Sequence, residues 1–146
     1  FKWNADRLGL PFIMPPSHPY NPLPALRLCV AAGSQIHQVK EIFNVIYGQG
    51  IQPDSAVGIQ AIAKAVGIAN PDTVISDLAV KQKLRENTEL AINEGVFGVP
   101  SFIVNNEIFW GGDATEMLLD YLENTDLFNS PEMTRISTMP MGKKRK

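Results

Sequence analysis

The change of pattern at residues 95–100, which read GVFGVP, most constrains how this chain can fold. Between residues 22 and 94 the apolar residues repeat mainly at helical spacing. After the junction, SFIV and EIFW flank an Asn-Asn pair, which favours a tight hairpin because asparagine tolerates positive φ. A lone two-stranded hairpin is marginally stable in water. The sequence therefore predicts an α/β chain, mostly helical, whose hairpin pairs with further strands.

The helical part divides at glycines, prolines and capping residues. Helices are predicted over 22–32, 35–47, 55–66, 77–94 and 114–123, with a short one after Asn70-Pro71. Ser34 and Asp54 are expected to cap two of them, and Asp113 with Glu116 to form a capping box. Gly95 is expected to end the long helix, whose one face is marked by Leu78, Leu84, Thr88, Ala91 and Ile92.

Two stretches lie outside this helical pattern. Residues 9–24 hold six of the eleven prolines and predict a rigid, extended connector that packs on something. From about residue 127 the chain is polar with scattered methionine and proline, which predicts a loose tail. The basic cluster at 143–146 is interpreted as part of that solvated tail.

Composition excludes several classes of function. The formal charge of −2 gives no overall basic field for nucleic acid. The single cysteine, Cys29, excludes an internal disulfide and a multi-cysteine zinc site, and it is expected to be a buried small residue. His18 and His37 have no metal-ligand partner at useful spacing, so no metal is expected. No apolar stretch reaches a membrane-spanning length, so no membrane partner is expected.

Two motifs carry a family resemblance. The stretch GVFGVPSFIVNNEIFWGGD, followed by an amphipathic helix, resembles the C-terminal thioredoxin-fold portion of the 2-hydroxychromene-2-carboxylate isomerases. These group with kappa-class glutathione transferases in the DsbA-like superfamily. The segment DRLGLPFIMPPSHPYNPLPALRL resembles the lead into their inserted helical domain. The resemblance spans about residues 2–123.

The resemblance implies a thioredoxin-like fold with an inserted all-helical domain. Its parts here would be a connector (1–21), the helical insertion (22–94), the C-terminal part of the thioredoxin-like domain (95–126) and a tail (127–146). An opening βαβ unit is expected upstream of residue 1. In the family that unit carries the catalytic serine, or a redox CxxC in oxidoreductase relatives, so the catalytic residue stays unknown.

The implied activity is a glutathione-dependent cis–trans isomerisation in aromatic compound degradation, with glutathione as cofactor. The partners implied are an aromatic acid substrate and a second copy of the chain, in the cytoplasm. Two rivals remain open: a DsbA-like thiol-disulfide oxidoreductase and a kappa-type glutathione transferase. A third, of another class, is a non-catalytic helical module.

The resemblance also assigns site residues. X-Pro bonds are seldom cis, but thioredoxin-like folds place a cis-proline at this point, so Val99-Pro100 is predicted to be cis and to present the Val99 backbone to glutathione. An ordinary strand opening with a trans proline is the alternative. Trp110, Gly111, Gly112 and Asp113 are predicted to hold the γ-glutamyl end, the amides binding the carboxylate and Asp113 the ammonium. Trp3 and Asn4 are predicted to contact the substrate, although packing explains them nearly as well.

Overall fold

The structure, a computed structural model, describes residues 1–140 and 142. The chain divides into two compact units, one from Phe1 to Leu90 and one from Ala91 onward. All regular secondary structure in the first unit is helical. Its helices are α1 (Lys2–Arg7), α2 (Leu23–Ala31), α3 (Ile36–Phe43), a π-helical turn (Asn44–Gly48), α4 (Ala56–Ala65), α5 (Pro71–Ser76) and α6 (Leu78–Asn93), which runs on into the second unit.

The core of the first unit lies among α2, α3, α4 and the π turn. Leu28 and Ile62 are fully buried there, and the other members recur at three- and four-residue spacing. They are Ala25, Ile42, Val45, Ile46 and Ala63. Gly58 lets α4 approach the preceding loop closely, since a Cβ atom there would lie 1.9 Å from the Gln52 carbonyl oxygen.

Two predicted caps in this unit are wrong, each by one residue. Ser34 has a positive φ of 54°, and α3 instead starts after Gln35, whose N–H donates to the Gln38 side chain at 2.8 Å. Helix α4 starts after Ser55, whose hydroxyl accepts from the Gly58 N–H at 3.0 Å. The Asp54 carboxylate instead accepts a hydrogen bond from the connector.

The proline-rich connector packs on this helical core, as expected. Asp54 accepts a hydrogen bond from the Asn21 N–H at 2.8 Å, and Gln52 accepts one from the Ser17 N–H at 3.0 Å. The hydroxyls of Tyr20 and Tyr47 lie 2.7 Å apart. The connector also contains a cis peptide bond between His18 and Pro19, which the sequence did not indicate.

Helix α6 lies close to its predicted limits, but it is not buried. Asp77 accepts hydrogen bonds from the first amides of α6, and Gly95 ends the helix with a φ of 79°. None of its residues is buried, so the predicted apolar face is exposed or half-buried. None of the helices in the described part of the chain combines the length and hydropathy needed to cross a bilayer.

The second unit contains the predicted hairpin. Strand β1 (Ser101–Val104) pairs antiparallel with β2 (Glu107–Trp110), so that Ser101 faces Trp110. Asn105 and Asn106 make the turn with φ values of 50° and 68°, as type I′ geometry requires. Helix α7 (Thr115–Glu123) packs on β2, burying Phe109 against Leu118 and Tyr121.

Two expectations about this unit are wrong. A 3-10 turn at Gly112–Ala114 precedes α7, so the helix starts at Thr115 and the predicted capping box of Asp113 and Glu116 does not form. The segment expected to be a loose tail contains helix α8 (Pro131–Ser137), capped by the Ser130 hydroxyl. Phe128 also stacks on Tyr121, with ring centroids 5.2 Å apart. The basic cluster at 143–146 lies outside the described residues.

Candidate functional site

The Val99-Pro100 bond is cis, as predicted. Val99 is 86% exposed, and it lies just before β1 rather than within it. Across residues 1–140 and 142, neither its N–H nor its C=O makes a hydrogen bond. Unpaired main-chain groups beside a strand are the groups with which an extended peptide pairs.

The residues around Val99 are held in place by hydrogen bonds. The Ser101 hydroxyl donates to the Gly98 carbonyl at 2.7 Å. The Gly111 N–H donates to the Pro100 carbonyl at 2.9 Å, continuing the hairpin pairing by one step. The hairpin register therefore brings the two predicted halves of the glutathione site, Val99-Pro100 and Gly111–Asp113, next to each other.

An aromatic pair borders this segment. The Phe97 and Trp110 ring centroids lie 5.2 Å apart with the planes tilted by 57°. Phe97 is exposed and Trp110 is 53% exposed. The indole edge lies against Gly98, a contact that nothing in the sequence indicates.

The Gly111–Asp113 segment presents open main chain and a free carboxylate. Gly111 has a φ of 81°, a conformation that glycine adopts readily, and no atom lies within 4 Å of where its Cβ or that of Gly112 would be. Asp113 does not cap a helix. Within the described residues its exposed carboxylate makes no hydrogen bond or ion pair. These groups suit a ligand that carries both a carboxylate and an ammonium.

Trp3 and Asn4, the predicted substrate residues, belong to the first unit. Both are exposed on α1, and the guanidinium carbon of Arg7 lies 5.2 Å from the centre of the Trp3 ring. Their role in substrate binding stays a prediction.

The remaining candidates contribute no catalytic cluster. Cys29 is half-buried, 4.0 Å from the Ser34 hydroxyl. Within residues 1–140 and 142, no three His, Cys, Asp or Glu side chains are grouped as metal ligands.

Sequence reasoning missed the polar contacts that fix the connector. Burial, and then the hydrogen bond with Tyr47, raises the pKa of the Tyr20 hydroxyl far above its usual range. The Asn21 N–H, followed by the Gln52 amide, lowers the pKa of the Asp54 carboxyl. These partners are far apart in sequence, and only the prolines around them hinted that the connector is ordered.

Comparison with known proteins gives the family. Residues 2–123 match the DSBA-like thioredoxin domain. The chain is 35% identical over 83 residues to a 2-hydroxychromene-2-carboxylate isomerase of Pseudomonas sp. (strain C18), covering 55% of this chain and 39% of that protein. Proteins of the same name from Pseudomonas putida and Sphingobium xenophagum are 32% and 31% identical. Those alignments cover 55% and 58% of this chain, and 40% and 44% of the relatives.

A solved structure of a 2-hydroxychromene-2-carboxylate isomerase in selenomethionine form is also similar. Its TM-score is 0.74 at 26% identity, over 88% of this chain and 64% of that chain. This chain spans about two fifths of the length of the curated relatives it matches. A helical insertion followed by a C-terminal hairpin and helix accounts for the architecture, so the predicted thioredoxin-like fold class is confirmed. The chain belongs to the DSBA-like thioredoxin domain family.

Proposed function

We propose that this protein is a glutathione-dependent isomerase of the 2-hydroxychromene-2-carboxylate isomerase type, acting on an aromatic acid during aromatic compound degradation. Three curated relatives and one solved structure bear that name, which supports an isomerase. Because the chain spans less than half the length of the curated relatives, the substrate and the cofactor are part of the proposal.

One observation carries the proposal of glutathione: an exposed, unpaired backbone at Val99 lies beside an open Gly111-Gly112 segment and a free Asp113 carboxylate. Glutathione has a peptide main chain and a γ-glutamyl end that carries a carboxylate and an ammonium. The Val99 N–H and C=O would pair with the peptide part. The amides at Gly112 and Asp113 would bind the carboxylate, and the Asp113 side chain the ammonium.

In this proposal glutathione provides the reactive group, and the residues at 99–113 bind it. Glutathione, when bound, supplies a thiol. The residues assigned here would bind and orient it, through the Val99 backbone, the amides of the Gly111–Asp113 segment and the Asp113 carboxylate. Trp3 and Asn4 are proposed to contact the aromatic acid, and the protein to act as a cytoplasmic homodimer.

A calorimetric titration with glutathione tests the proposed binding role of Asp113. We expect Asp113→Asn to weaken binding on the order of tenfold, because the uncharged amide no longer pairs with the charge of the ammonium. Asp120→Asn, which removes an exposed carboxylate from α7 of the same unit, is the matched control and should bind like the wild type. Equal affinities for wild type and Asp113→Asn would remove that role, and no binding by the wild type would contradict the glutathione proposal.

Free thiol measured during turnover separates the isomerase from its rivals. An isomerase returns glutathione unchanged, so the total thiol stays constant while the substrate absorbance changes. A transferase consumes one thiol for each product formed. A disulfide oxidoreductase converts thiol to disulfide. Constant thiol with substrate turnover is the expected result, and loss of thiol in step with product would overturn the isomerase proposal.

A further inference from the structure

Val99 lies between two anchored neighbours. The Gly98 carbonyl accepts the Ser101 hydroxyl hydrogen bond and the Pro100 carbonyl accepts the Gly111 amide. Both bonds are made to carbonyl groups on either side of Val99. The Trp110 indole lies against Gly98.

Gly98 is required here for space and not for its backbone conformation. A Cβ atom on Gly98 would lie 2.4 Å from Trp110 Nε1, closer than real Cβ contacts, and 3.0 Å from Cε2, which is also tight. The φ of Gly98 lies outside the left-handed region, so an L-residue could adopt its backbone. Gly111 is the opposite case, with a positive φ and open surroundings. The missing side chain at Gly98 therefore makes room for the indole.

The indole is not part of the core of its unit. Successive strand residues point to opposite faces, so Phe109 is 1% exposed in the core while Trp110, on the other face, is 53% exposed. Its close contacts include the Phe97 ring and Gly98. The indole thus lies on the open face of the hairpin, in contact with the residue that precedes Val99.

We propose that Trp110 is a positioning residue, which through Gly98 fixes the backbone of Val99 in the orientation that binds the ligand. Its assignment thus changes from a direct contact with glutathione to a support of the residue that makes the contact. The ligand part of this inference rests on the proposed function, whereas the coupling between Trp110 and Gly98 does not.

Amide hydrogen exchange at Gly111 tests the coupling without a ligand, because this amide bonds to Pro100 and reports whether the segment is docked. We expect Gly98→Ala to lower its protection about tenfold. Trp110→Phe lacks the ring that carries Nε1, so Gly98→Ala in that background should lower protection less than about threefold. Trp110→Ala alone should also lower it, and Gly142→Ala, a methyl added in open surroundings, should not. The same loss from Gly98→Ala in both backgrounds would overturn the coupling.

Glutathione titration of the same variants tests the positioning role. We expect Gly98→Ala to bind about tenfold more weakly than the wild type and the double variant Gly98→Ala/Trp110→Phe to recover most of that loss. The thermal unfolding midpoints of the variants, measured in parallel, show whether they are equally folded. Unchanged affinity in a folded Gly98→Ala variant would overturn the positioning role. If the wild type binds no glutathione, the proposed function and the positioning role both fail, and the exchange data still decide the coupling.

Discussion

The two units differ in the size of their apolar cores. The first unit buries a helical core in which Leu28 and Ile62 are fully enclosed. The second buries the smaller cluster of Phe109, Leu118 and Tyr121, and its hairpin region leaves Val99 exposed and Phe102 and Trp110 about half exposed. Both units expose large apolar side chains, and in the second unit these lie beside unpaired main chain at Val99, where a ligand can reach them.

The largest effect is expected at Phe109, the residue on which the core of the second unit depends. Phe109→Ala should lower the free energy of unfolding of this unit by about 4 kcal/mol, because it removes a large buried ring and leaves a cavity. Exchange protection of hairpin amides measures the effect. Phe102→Ala, at the paired position on β1 but half exposed, is the control and should cost much less. Equal losses would show that the second unit has no distinct core.

Leu28 provides the equivalent test in the first unit. Leu28→Ala should cost about 3 kcal/mol of unfolding free energy, since Leu28 is enclosed by three helices. Urea denaturation followed by circular dichroism measures the loss. Leu26→Ala, an exposed leucine on the same helix, should change stability by less than about 1 kcal/mol. Similar losses for the two leucines would contradict a well-packed helical core.

A smaller effect is expected at the open end of the hairpin. Gly111→Ala should cost roughly 1–2 kcal/mol, because alanine is strained at a φ of 81° even in open space. Gly112→Ala has the same open surroundings without the positive φ, so it should lower stability much less than Gly111→Ala does. Thermal unfolding of the two variants compares them directly. If both cost the same, strain at Gly111 does not shape this segment.

The smallest effect concerns the connector and depends on pH. The Asn21 N–H lowers the folded-state pKa of Asp54, so its contribution to stability is present above the unfolded value of about 3.9 and is lost as the pH falls through the folded value. Asp54→Asn should therefore weaken the fall in the urea midpoint between about pH 5 and pH 2. Glu41→Gln, an exposed acid on α3, is the control. A wild-type acid profile in Asp54→Asn would exclude the coupling.

The sequence predicted the elements better than their ends. Helical spacing located the main helices, and Asn105-Asn106 located the hairpin, because both signals depend on neighbouring residues. One predicted cap failed because its side chain has a distant partner: Asp54 binds Asn21, 33 residues away, and Ser55 caps the helix instead. Helix α8 was missed because its signal, Ser130 before Pro131, lay in a stretch interpreted from composition alone.

The candidate site, like the fold, could be predicted only in part from the sequence. Once the hairpin register is known, the pairing of Pro100 with Gly111 follows from it. The contact of Trp110 with Gly98 does not, because it depends on which way an indole turns on an open face. The cis bond before Pro100 came from the family resemblance and not from the local sequence.

The prolines of the connector also limit how this segment can align on the helices. Proline has no N–H, and six of the sixteen residues from 9 to 24 are prolines, so this stretch offers few amides by which the rest of the protein can recognise it. Gln52 and Asp54 bind two of them, at Ser17 and Asn21. With so few donors, a shift of the chain by one residue would bring a proline opposite one of these acceptors and leave it without a bond. The prolines therefore favour the observed alignment of the connector on the helices over alignments shifted by one residue.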